Sequence, residues 1–148
     1  MNPLDIKSAL LAKHAQHVVL IHFPIALFIA GVAFDVAAVW TRRRGFADAA
    51  YYNLLVAAIA TVPVIATGIL AWQFALEGQR VKGILLMHMV MAAVSTVIVW
   101  TVWWMQWQVR TGRAPRSALV IAVELLGVAA IALTGHLGGF LSGVNAPG

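Results

Sequence analysis

The chain has 148 residues, 62% of them hydrophobic and 10% charged, with a formal net charge of +5 and no cysteine. A water-soluble domain carries about 25% charged residues, so this composition describes a protein that lives in lipid. The missing thiols exclude disulfides, thiolate-held clusters and covalent haem attachment. The basic residues sit in loops rather than along a stripe, so no nucleic-acid partner is expected.

Residues 1–16, "MNPLDIKSALLAKHAQ", lack the layout of a cleaved signal. They read as an N-terminal interfacial segment, with Leu4, Leu10 and Leu11 dipping into lipid. Four apolar runs follow, at 17–40, 51–76, 83–109 and 117–141. Each has the roughly 20 residues that a helix needs to cross a hydrocarbon core of ~30 Å. Backbone polar groups in lipid must be satisfied within the segment, so the four runs predict four helices. The short links, 41–50, 77–82 and 110–116, make neighbouring helices antiparallel. The predicted fold is an all-α transmembrane up-down four-helix bundle over 17–141, with 142–148 as a tail.

In the first run His22 lies five residues in, and Pro24 either starts the regular helix or frees the Leu20 carbonyl. His17, at the start of the run, is a further ligand or an interfacial side chain, and His14 before it is solvated. Asp35 follows His22 by 13 residues. The second run carries Thr67, Gly68 and Trp72 near the level of His22, with Pro63 as the one candidate break. In the third run His88 again lies five residues in. Met87, Met89 and Met91 spread around that helix and suit packing. Trp100, Trp103, Trp104 and Trp107 share a face, which fits an interfacial belt better than a cofactor stack. The fourth run carries Glu124 and ends on "TGHLGG", where Gly135, Gly138 and Gly139 remove bulk around His136.

Charge sets the orientation. Arg42, Arg43, Arg44, Arg110, Arg113 and Arg116 lie in the first and third links, against Lys7, Lys13, Arg80 and Lys82 on the other side. Basic residues favour the cytoplasmic side, so both termini are expected outside. His22, His88 and His136 then sit about 7–8 Å below the outer interface, at 1.5 Å per helical residue. Asp35 and Glu124 lie ~18–20 Å further inward on the same rise. The two carboxyls either share a proton in a relay or bridge to the backbone, or each snorkels or pairs with Arg42–Arg44 or Arg116 nearby.

Neutral imidazole ligates haem iron, copper and zinc. Helices 1 and 3 are diagonal in an up-down bundle, which makes His22 and His88 an axial pair for a b-type haem. His136 is an alternative ligand, or holds a propionate or a water. Arg80, Lys82 and Lys13 would meet the propionates at the outer surface. The alternative is a copper or zinc ion held by His22, His88 and His136 together, at ~2.0–2.1 Å. A third reading makes the histidines ties between helices in a larger assembly. No nucleophile–base arrangement marks an enzyme of its own.

At "HVVLIHFPIAL" (17–27) and "TGHLGG" (134–139) the chain resembles a bacterial family of four-helix membrane proteins catalogued as a domain of unknown function. His17 and His22 match its first motif, Asp35 an aspartate later in that helix, His88 a helix-3 histidine and His136 the closing motif. Val18 replaces a frequent proline, and Phe140-Leu141-Ser142 stands where a tyrosine is often found. The resemblance implies a small inner-membrane protein, sometimes associated with respiratory modules, for which binding of b-type haem is a role. The reading as a whole is a membrane electron-transfer subunit in contact with lipid and a redox partner, and small-residue spacings such as Ala26, Ala30, Ala33 and Ala37 fit packing within the bundle as well as between copies in a homo-oligomer.

Overall fold

The computed structural model describes residues 15–74 and 76–143. Four helices account for most of them: α1 (Ala15–Thr41), α2 (Arg44–Phe74), α3 (Gly83–Arg110) and α4 (Ala118–Leu141). All four are long and apolar enough to cross a membrane. The interfacial segment expected for 1–16 lies almost wholly outside the described residues, as do Lys7, Lys13, His14 and most of the 142–148 tail.

Helix α1 packs on α2, α2 on α3, α3 on α4 and α4 back on α1. That ring is the up-down bundle, and it leaves α1 and α3 on a diagonal. The tightest union is α1 with α2. A Cβ at Gly31 would lie 2.7 Å from Leu54 Cγ, so the glycine is what lets the two helices close. Between α1 and α4, Gly127 does the same for Phe28, whose ring would stand 2.6 Å from an added Cβ. Phe28, Val32, Leu54, Ala57, Ala58, Val99, Val102 and Ile131 form the core around these contacts.

The first link is shorter than the sequence suggests. α2 begins at Arg44 rather than near 51, because charge and tyrosine mark where hydrocarbon stops, not where helical hydrogen bonding stops. Arg42 turns the chain with a left-handed φ of 56°, its amide held by the Ala38 carbonyl at 2.9 Å. Beyond the turn, Phe46 stacks on Phe34 at 6.1 Å.

Only 17–28% of the most apolar stretch of each helix is buried within the bundle. Large side chains such as Val19, Phe23, Ile59, Val97, Leu119 and Leu126 point outward. An apolar surface this continuous is stable only when lipid covers it. The chain is a membrane protein.

Because Phe28 has no exposed surface and Gly127 gives it its space, Gly127→Ala overpacks the core. A loss of about 1–3 kcal/mol is expected. Thermal unfolding of the detergent-purified protein measures it; a melting point equal to that of the parent would show that the ring has room to move.

Candidate functional site

Two polar layers lie at opposite ends of the bundle. The first is at the end that carries the α2–α3 link and is built from His17 and His88. His17 Nδ1 meets Thr67 Oγ1 at 3.2 Å. The Thr67 hydroxyl already donates to the carbonyls of Pro63 and Val64, at 2.9 and 3.1 Å. With the hydroxyl proton on either carbonyl, Thr67 accepts and His17 Nδ1 carries the hydrogen. His88 Nδ1 lies 3.1 Å from the Thr134 carbonyl, which only accepts. It too carries its hydrogen on Nδ1. Both rings therefore have Nε2 as the nitrogen with a lone pair to offer.

Glycines make the space for both rings. A Cβ on Gly68 would approach His17 Cε1 to 3.0 Å, and one on Gly138 would approach His88 Cε1 to 3.2 Å. His17 on α1 lies against α2, and His88 on α3 lies against α4. The hydroxyls of Ser95 and Thr134 share a hydrogen bond at 2.9 Å that fastens α3 to α4 deeper in the bundle.

The other histidines face away. His22 is exposed, its Nδ1 bonded to the Val18 carbonyl of its own helix at 2.6 Å. His136 is exposed as well, its ring edge-on to Phe140 at 5.0 Å. The structure thus does not form the pairing of His22 with His88, nor the convergence of His22, His88 and His136. Among the described residues, no three His, Cys, Asp or Glu side chains are grouped to hold a metal ion. The reason is azimuth. Five residues turn a helix by about 140° net, so His17 and His22 cannot both face the bundle. Likewise Thr134 and Gly138 share the face of α4 that meets His88, while His136 between them is turned about 200° from each.

The remaining candidates disperse. Gly135 has open space around it, so it clears no room for a neighbour. Trp72 donates to the Gln79 carbonyl at 3.0 Å and ties the end of α2 to the link. Arg80 is exposed in that link, at the histidine end. Trp100 and Trp103 meet edge to face at 5.6 Å, and Trp104 leans on Trp107 at 4.8 Å, with Trp100 and Trp104 turned outward.

A family model described as "Predicted membrane protein (DUF2231)" matches residues 13–145. The chain belongs to that family. No curated protein and no solved structure matches it. Membership agrees with the four-helix membrane family expected from the two motifs, and it spans both polar layers.

The second layer of this DUF2231 protein is at the end carrying the α1–α2 and α3–α4 links. Asp35 and Glu124 are both completely buried. Arg116, just before α4, reaches Asp35 Oδ1 at 2.6 Å. Gln106 of α3 donates to Glu124 Oε1 at 2.6 Å. Sequence reasoning missed Gln106, although an amide inside the aromatic run "WWMQW" is itself a signal that something polar faces it. It also gave His17 no fixed role; the face shared by Thr67 and Gly68 carries that information only once the helix register is known.

Proposed function

We propose that this protein is a membrane electron-transfer protein that binds haem b through His17 and His88. The observation that carries the reading is the seating of the pair: two imidazoles on diagonal helices, each with Nδ1 at an oxygen, an arrangement that leaves Nε2 to ligate. An oxygen partner on the far nitrogen is the usual way a protein orients a ligating histidine and raises its basicity. The donor set fits bis-imidazole ligation, and the chain has no thiol for covalent attachment. Bound haem would supply reversible one-electron chemistry.

The chain's own residues do the rest. Thr67 and the Thr134 carbonyl fix the rings, and Gly68 and Gly138 let them lie against α2 and α4. Arg80 and Lys82, exposed at the same end, suit carboxylates there. The excess of arginine in the first and third links supports a cytoplasmic inner-membrane face for the opposite end and periplasmic termini. With links this short, a partner protein, such as a respiratory module, would supply or accept the electron.

The test is the absorbance of the protein purified in detergent, oxidised and reduced. A Soret band with sharp reduced α and β bands is the expected result. No visible absorbance with about one copper or zinc per chain would replace haem by a metal ion. Neither signal would make the histidines ties between helices, and the redox reading would fall.

A further inference from the structure

The buried acids at the other end of the bundle do not balance. Two carboxyls, Asp35 and Glu124, face one cation, Arg116, with no exposed surface on either acid. Their hydrogen bonds do not balance either. Gln106 is spent on Glu124 Oε1, and Arg116 pairs with Asp35 Oδ1 by charge while its hydrogen bond goes to the Asp35 carbonyl at 3.4 Å, so both Asp35 side-chain oxygens and Glu124 Oε2 are buried with no hydrogen-bond donor. Asp35 on α1 and Glu124 on α4 lie behind the same two residues, Arg116 and Gln106, which line one cavity. Two bare carboxylate oxygens in that position repel; with one proton between them, one donates and the other accepts.

We propose that Asp35 and Glu124 hold one exchangeable proton between them, loaded from the membrane face that carries the first and third links. Access follows from a cavity of about 400 Å³ at that face, lined by Arg44, Asp48, Tyr51, Gln106, Arg110 and Arg116 among others. Gln106 and Arg116 are the very residues that bind the two acids, so they form the wall between the cavity and the pair. The other charged and titratable groups there are accounted for. On α2 they are Arg44, Asp48 and Tyr51, and on α3 Arg110, which is paired with Asp48 at 2.5 Å. Toward the histidine end the next layer is the apolar core of Phe28, Val32, Val99, Val102 and Ile131. The proton enters and leaves by one side.

Infrared spectroscopy of the protein in lipid at neutral pH reads this directly and needs no cofactor, so it stands or falls apart from the haem reading. The wild type should show the carbonyl stretch of a protonated carboxylic acid, shifted down when the folded protein is placed in D2O. Charge parity makes the sharper forecast. Asp35→Asn and Glu124→Gln each leave one acid against Arg116, so the band should vanish in both. A wild type without the band, or a band that survives in both variants, overturns the shared proton. A band that shifts in D2O only after denaturation overturns the access route.

Discussion

His88→Ala and His17→Ala are each expected to abolish the bis-imidazole spectrum of the haem-loaded protein, or to convert it to a five-coordinate form. His22→Ala and His136→Ala should leave it intact, because both rings are turned to the outside of the bundle. The contrast within α1 is the informative part. The two histidines have the same chemistry and lie about 7.5 Å apart along the helix, and the rotation of about 140° between them turns one inward and the other out. Thr67→Val keeps the ring of His17 but removes the oxygen that takes its Nδ1 hydrogen. Loss of such a supporting partner typically weakens binding by roughly 10–100-fold, so haem occupancy should fall on dilution while the bound spectrum is preserved. A normal spectrum in both His17→Ala and His88→Ala refutes the assignment.

Arg116→Met should be the most destabilising substitution at the arginine end. It leaves Asp35, completely buried, without the cation that touches it at 2.6 Å. Removing one partner of a buried ion pair costs about 3–5 kcal/mol, since the remaining charge stays desolvated. The double variant Asp35→Asn/Arg116→Met discards both charges and should recover most of that loss. Denaturation of the four proteins of this cycle in detergent measures the coupling. A single variant as stable as the parent would show that water, rather than Arg116, solvates Asp35.

Much of the fold was legible because lipid leaves few choices. Length and hydropathy are enough to place four spans, and short links are enough to alternate their direction. Depth was legible for the same reason: residues counted along a helix convert to ångströms, and Asp35 and Glu124, counted to one level, are both buried at the arginine end. Facing was not legible. A hydrophobic helix in a bilayer carries little amphipathic signal, since its lipid side and its packed side are both apolar, so the sequence does not show which histidine looks inward. Glycines would have helped had their partners been known. Gly68 and Gly138 mark the faces on which imidazoles rest, whereas Gly135, beside the conspicuous His136, touches nothing.

The donor commitments of Thr67 and of the Thr134 backbone have one more consequence. An imidazole relays hydrogen ions by taking one on one nitrogen and releasing another from the opposite side, and then it must reset. His17 and His88 each have the releasing side pinned to an acceptor that has nowhere to send the ion. These rings can therefore gain charge but cannot act as a wire. The bundle keeps a polar layer near each face, with the apolar core around Phe28, Val32, Val99 and Ile131 between them.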